Sequence, residues 1–243
     1  MVSVSGLHKS IEGTPVLKGI NFSLQDGETM TVIGKSGCGK SVLLKNIIGL
    51  MSPDAGRVVI DGTDVSDLTE REYNAYVRDR MSMVFQRGAL WDSMTVAENI
   101  ALALSVRQEM PDGERSERVA ESLAMVGMEG SEQLYPEELS GGMMKRVAIA
   151  RAVAARPKYL LYDEPTTGLD PVLSNVVNKL IRRLNRELGI TALVVSHDVH
   201  YLNRFSDRVA MIHDGKIIVD SPVDHMEETQ NETFHAFLRG ETI

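Results

Sequence analysis

Short apolar, β-branched runs alternate along the chain with stretches whose apolar residues recur every three or four positions. The runs "NFSL" (21–24), "TMTVI" (29–33), "RVVI" (57–60), "MSMVF" (81–85), "YLLY" (159–162), "ALVVS" (192–196), "RVAMI" (208–212) and "KIIV" (216–219) read as strands. Helical periodicity is clear in "SVLLKNIIGL", where Leu43, Ile47 and Leu50 share a face, and in "PVLSNVVNKLIRRLNREL", where Leu173, Val177, Leu180 and Leu184 do. The second helix has Asp170 as its N-cap and Pro171 at its first position, and it stops at Gly189. Strand followed by helix, repeated, predicts an α/β domain with a largely parallel core sheet. Between about residues 92 and 156 the pattern changes to mostly helix, with Pro111, Gly113, Gly127 and Pro136 marking turns. That stretch predicts a helical lobe inserted into a single domain spanning residues 1–243, since no internal repeat, low-complexity tract or linker divides the chain.

Composition narrows the classes. The 243 residues are 43% hydrophobic and 25% charged, an ordinary globular balance. A net charge of −8 argues against broad adhesion to nucleic acid or anionic lipid, which needs clustered Lys and Arg. The single cysteine, Cys38, cannot form an internal disulfide, and the start "MVSVSGLHKS" lacks the apolar stretch of a signal peptide. No apolar run reaches the about 18 residues of a spanning helix. The expectation is a cytoplasmic chain whose membrane role, if it has one, runs through another subunit.

The strongest chemical motif is "GKSGCGKS", residues 34–41, which fits G-x-x-x-x-G-K-[ST] between the strand "TMTVI" and the helix "VLLKNIIGL". Gly34, Gly37 and Gly39 let the backbone curl so that its amides surround phosphates. Lys40 sets a charge against the β and γ groups, and Ser41 can ligate Mg²⁺. Lys35 and Ser36 complete the candidate loop, Val42 continues into the helix, and Cys38 stands at a variable position as a small filler rather than a nucleophile.

Two other strands end in polar groups. "YLLYDEP" places Asp163 and Glu164 at a strand end, and adjacent strand residues point opposite ways unless the chain is already turning. Alone the pair reads as a solvated acidic turn. Beside a phosphate loop, Asp163 suits the Mg²⁺ shell and Glu164 the general base that polarises the attacking water. "ALVVSHD" ends in His197, either a satisfied strand-end residue or a contact to the γ-phosphate, with Asp198 a candidate cap for the helix "VHYLNRF". Gln86, at the end of "MSMVFQ", is either a polar strand end or a group that reaches the metal or the water. Finally, "LSGGMMKR" (139–146) runs into the alanine-rich "VAIARAVAA". Ser140, Gly141 and Gly142 open a helix there, which makes a second phosphate grip in one chain.

These motifs, with "GLD" before Pro171, stand in the order and spacing of ATP-binding cassette (ABC) ATPases, which the chain resembles over nearly its whole length. The resemblance implies a P-loop NTPase fold: a RecA-like, mostly parallel sheet with an antiparallel β portion, plus an inserted helical subdomain carrying the LSGG signature. It also implies ATP and Mg²⁺ as cofactors, Asp170 among the nucleotide-binding residues, and a head-to-tail dimer with a second copy. In that dimer the signature of one chain closes over the ATP held by the other, which gives the second grip its task.

A narrower likeness lies in "VRDRMSMVFQRGALWDSMTVAENIAL" (77–102) and in the Met that follows the signature glycines. These are similar to the ATPase of Mce-associated, Mla-type phospholipid transporters of bacterial envelopes. That likeness implies permease subunits, an Mce-type lipid-binding protein and a place on the cytoplasmic face of the inner membrane, with no nucleic-acid partner. Ala89, Leu90 and Trp91 then suit a groove for a permease helix, or Trp91 packs in the core of the helical lobe. The alternatives are an importer of amino acids or another polar solute and, from another class, a DNA-repair or translation ATPase. The last needs a second cassette or a long coiled coil, and Ser41 to Leu139 shows no sustained heptads. Two departures from the family pattern stand out. Met143 replaces the usual Gln, and Ile11 occupies the position of the adenine-stacking aromatic.

Overall fold

The computed structural model describes residues 1–66, 68–106, 110–199 and 202–241. They form two compact units, Met1–Val77 with Thr191–Ile243, and Arg78–Ile190.

The first unit is built on two sets of strands. β1 (Val2–Ile11) pairs antiparallel with β2 (Thr14–Leu24) on one side and with β4 (Ala55–Ile60) on the other, and β4 pairs with the short β5 (Thr63–Asp64). β1 was not expected from the apolar pattern. Val2 and Val4 alternate inward, but the register shifts between Val4 and Leu7 around Gly6, which has φ 57°, and the period-2 signal breaks there. The second set centres on β3 (Thr29–Ile33), flanked in parallel by β8 (Thr191–Ser196) and β9 (Arg208–His213), with β10 (Lys216–Pro222) antiparallel to β9. Every residue of β3 and β8 is buried, as parallel strands covered on both faces require.

α1 (Lys40–Ile47) follows β3 and buries Leu43, Leu44 and Ile47. Leu50 lies beyond the helix end and is 58% exposed, so the face expected for it stops one turn early. α2 (Glu70–Arg78), short and polar on average, turns Tyr73, Tyr76 and Val77 to one face and is fixed at its start, where the backbone amide and hydroxyl of Thr69 donate to Glu72. Beyond β9 and β10, α7 (Leu202–Phe205) and α8 (Glu232–Leu238) close a core of Ile33, Val209, Met211, Val219, Met226 and Phe234.

The second unit holds β6 (Met81–Val84) parallel to β7 (Tyr159–Asp163) and the helices α3 (Val96–Ser105), α4 (Asp112–Met125), α5 (Gly141–Ala154) and α6 (Pro171–Glu187). α3 starts in a capping box of Thr95 and Glu98. Gly113, expected in a turn, lies inside the first turn of α4, because Pro111 already starts that helix. α6 begins as its sequence requires. Oδ1 of Asp170 accepts from the amides of Val172 and Leu173 at 2.9 and 3.0 Å, and the helix gives way at Gly189, with φ 64°. Val177, Leu180 and Leu184 are buried along α6, whereas Leu173 is exposed in its first turn.

Candidate nucleotide site

The phosphate loop occupies the link between β3 and α1. Gly34, Gly37 and Gly39 have φ of 155°, 81° and 106°. A Cβ on Gly34 would stand 2.5 Å from the carbonyl oxygen of Ile212 and 2.7 Å from Sγ of Cys38. Cys38 is therefore packed against the loop's own backbone, as a small filler is. A Cβ on Gly37 would meet nothing within 4 Å, so the loop is open on that side. Gly39 is the N-cap of α1 and contributes no side-chain cap. Lys40 is only 5% exposed, and its Nζ donates to the carbonyls of Gly34 at 2.7 Å and Lys35 at 2.9 Å, folding the cation over the loop. Lys35 and Ser36 are exposed, while Ser41 and Val42 are half-buried in the first turn of α1.

The β3–β8 register pairs Ile33 with Ser196, so Gly34 and His197 leave the sheet at one edge. His197 is exposed there, and the amide of Asp198 donates to Oγ of Ser196 at 2.9 Å. The helix expected after Asp198 is seen only as α7. His200 and Tyr201 lie outside the described residues, and Asp198 does not adjoin the first residue of α7.

In the second unit, Asp163 is the buried last residue of β7, and Glu164 is 9% exposed with φ 50°. The chain is already turning at Glu164, so strict alternation no longer separates the two carboxylates. A non-glycine residue in the left-handed region costs about 1–3 kcal/mol and collects at functional sites. Thr167 holds this residue twice, donating from Oγ1 to Oε2 of Glu164 at 2.7 Å and from its amide to the Glu164 carbonyl at 3.2 Å. Val84 pairs with Tyr162, so two residues further on Gln86 and Glu164 emerge at the same edge. Gln86 stands two residues past β6, exposed in a turn rather than at the strand end.

Sequence reasoning missed Lys145. It lies on the buried face of α5 with Gly142, Ile149 and Ala152, is 7% exposed, and donates from Nζ to the Gln86 carbonyl. Burial pulls its ammonium below the ordinary lysine value, against the opposing field of Glu164 and Asp163. The available signal was a lysine on an otherwise small and apolar helical face.

At the start of α5, Oγ of Ser140 caps the amide of Met143 at 3.3 Å. Neither glycine that follows is demanded by its own chain. Both lie in the helix outside the left-handed region, and an added Cβ would meet only Leu169 at 3.6 Å for Gly141 and Leu173 at 3.7 Å for Gly142, ordinary contact distances. Asp170, the cap of α6, stands between those two leucines in sequence.

Trp91 is 59% exposed, which decides against the core. With Phe85, Ala89, Leu102, Val106 and Arg151 it lines a groove of about 470 Å³, and its main chain is tied to Asn99.

Among the described residues no group of three His, Cys, Asp or Glu gathers as a metal cage. Mg²⁺ needs none, because it keeps several waters and binds through one or two carboxylates plus substrate phosphates. Asp163, buried at the end of β7, is a carboxylate of that kind.

A family model described as ABC transporter matches residues 17–167. The chain is similar to the intermembrane phospholipid transport system ATP-binding protein MlaF of Haemophilus influenzae, 38% identical over 223 residues, covering 92% of this chain and 84% of that protein. It is also similar to the methionine import ATP-binding protein MetN of Mesorhizobium japonicum, 40% identical over 223 residues; 92% of this chain is covered, and it spans only 60% of that protein's length. Among solved structures, a dimeric ATP-binding cassette in a post-hydrolysis state, bound to ADP and Pi, superposes with a TM-score of 0.84 at 35% identity, covering 92% of this chain and 99% of that one.

Proposed function

The chain belongs to the ABC transporter family, and from that premise we propose that it is the ATP-hydrolysing subunit of a membrane transporter whose cargo is phospholipid. One chain carries a phosphate loop with an inward-folded Lys40 together with a buried, backbone-strained Glu164 at a strand end, and this observation carries the reading. The loop amides of residues 34–42 and Lys40 bind the β- and γ-phosphates. Ser41 and Asp163 would hold Mg²⁺, which neutralises phosphate charge when bound. Glu164 polarises the attacking water, Gln86 orients water or metal, and His197 holds the γ-phosphate.

Ser140, Gly141 and Gly142 close over the ATP of a second copy in a head-to-tail dimer. Glycine at the start of α5 lowers helix stability relative to alanine, and nothing in the chain itself needs it. Close approach by an outside group is what its missing Cβ permits. Asp170, by fixing the start of α6, keeps Leu169 and Leu173 beside that grip. Residues 1–243 act as one nucleotide-binding domain with a helical signature subdomain at about 92–156. No helix among the described residues is long and apolar enough to cross a membrane. As a member of a transporter family the subunit works on the cytoplasmic face of the inner membrane through permease subunits seated at the Trp91 groove, with an Mce-type lipid-binding protein in the assembly. The likeness to MlaF supports phospholipid as cargo, and the likeness to MetN favours a second reading, import of an amino acid or another polar solute.

The test has two parts. The purified chain should hydrolyse Mg-ATP, and Lys40→Ala should reduce turnover to background; near-normal activity in that variant rejects the site. Native complexes captured through this chain should carry phospholipid and permease subunits, whereas a complex free of lipid that binds an amino acid supports the importer.

A further inference from the structure

Two cations of α5 reach back to one short stretch of backbone. Lys145 donates to the carbonyl of Gln86, and the Arg151 guanidinium spans the carbonyls two and three residues on, Nη2 to Gly88 at 2.7 Å and Nη1 to Ala89 at 2.6 Å. That stretch needs holding. Gly88 has φ 77°, and Ala89, which carries a Cβ, sits at φ 50°, where a side chain is disfavoured. Its internal support is a turn bond from the Gly88 amide to the Phe85 carbonyl at 2.9 Å. Hydrogen bonds from cations are stronger than neutral ones, and the planar guanidinium presents its two donors to the Gly88 and Ala89 carbonyls at a fixed spacing.

We infer that Lys145 and Arg151 pin the Gln86–Ala89 backbone to α5, and that Lys145 is thereby the positioning residue that sets Gln86 for turnover. The role given to Gln86 rests on the ATPase reading, whereas the pinning itself does not. The consequence is mechanical. α5 carries Ser140, Gly141 and Gly142 at its start, Lys145 one turn later under Gln86, and Arg151 in the wall of the Trp91 groove. Grip, Gln86 and groove are fastened to a single 14-residue helix. A displacement of its first turn by a bound phosphate then moves the segment that lines the groove, and occupation of the groove moves the grip. Lys145 takes the inner position, buried on the α5 face with its ammonium against the Gln86 carbonyl.

Two measurements on the purified full chain test this. Hydrogen exchange of amides 87–91 is followed without nucleotide, and steady-state ATPase gives kcat and KM separately. Lys145→Met keeps length and removes the donor. Exchange at 87–91 should speed up roughly tenfold while amides of β7 stay protected, and kcat should fall roughly tenfold with KM for ATP changed less than about twofold. Lys145→Arg, which restores a cationic donor, should recover most of kcat. Arg151→Lys keeps the charge but loses the fork, so exchange should rise at 88–91. Lys145→Met with wild-type exchange and kcat overturns the inference, as does failure of the Arg rescue alongside a general loss of protection. If wild type hydrolyses no ATP, the proposed function fails, and unchanged exchange in both Lys145→Met and Arg151→Lys would still overturn the pinning on its own.

Discussion

Thr167 donates its hydroxyl to Oε2 of Glu164 at 2.7 Å, from three residues further along the same turn, while Glu164 itself is held at φ 50°. A carboxylate buried at a strand end can reorient about its side-chain torsions, and this bond removes that freedom. Thr167→Val keeps the shape and deletes the donor. A hydrogen bond to a charged group contributes about 1.5–3 kcal/mol, part of which water recovers, so kcat should drop roughly five- to tenfold with KM for ATP unchanged. Thr167→Ser should stay near wild type. Steady-state kinetics decide it, and a Val variant with full kcat would show that Glu164 is positioned by the backbone turn alone.

Much of the site was legible because its chemistry is local. A phosphate loop is one turn between one strand and one helix, so "GKSGCGKS" specifies it without long-range information, and Asp170 followed by Pro171 specifies the start of α6 in the same way. What escaped depends on contacts between distant residues. Lys145 meets Gln86 across 59 positions, and no spacing announces that. β1 was hidden by its own irregularity, since the register shift at Gly6 destroys alternation after two apolar residues, and α2 by its shortness, its apolar face being only Tyr73, Tyr76 and Val77. The choice between core and groove for Trp91 needed exposure, which periodicity cannot supply.

Ile11 is the half-buried last residue of β1, beside the hairpin turn at Glu12 and Gly13, both with positive φ. If this strand end faces adenine as the family pattern implies, an aliphatic side chain there gives little selection between bases. Stacking on an aromatic contributes about 1–3 kcal/mol per base. Ile11→Tyr should therefore raise the ratio of ATP to GTP affinity at least about fivefold in titration calorimetry. An unchanged ratio would remove Ile11 from the base-binding surface.

Trp91 presents most of its side chain to the outside, and its backbone, tied to Asn99, is independent of the indole. Truncation should therefore spare the fold. Trp91→Ala is expected to stay within about 0.5 kcal/mol of wild-type stability, as exposed substitutions do, and to keep the ATPase activity of the isolated chain. Its recovery with membranes from cells should fall several-fold, since desolvated aromatics anchor interfaces. Thermal unfolding and membrane sedimentation together decide it. A variant that melts early would make Trp91 structural, and full membrane recovery would place the permease elsewhere.

The two glycines after Ser140 have room for a Cβ in their own chain, and what they leave room for is best asked with a trapped dimer. If Ser140 and Gly142 hold the γ-phosphate bound by a second copy, the closed dimer needs intact ATP, and hydrolysis releases it because the product lacks the gripped group. Glu164→Gln keeps the size of the side chain and its bond from Thr167 while removing the base, so it should accumulate as an ATP-bound dimer. Wild type should return to the monomer or open dimer as ATP is consumed. Ser140→Arg added to that variant places a long side chain in the partner's phosphate site and takes away the α5 cap, which costs about 1 kcal/mol of helix stability without touching Lys40. The double variant should bind ATP with affinity near that of Glu164→Gln yet remain monomeric by light scattering with Mg-ATP. Measured on the isolated chain, where no permease holds two copies together, ATP-dependent dimerisation that survives the Ser140→Arg change would show that the second grip does not act across the dimer.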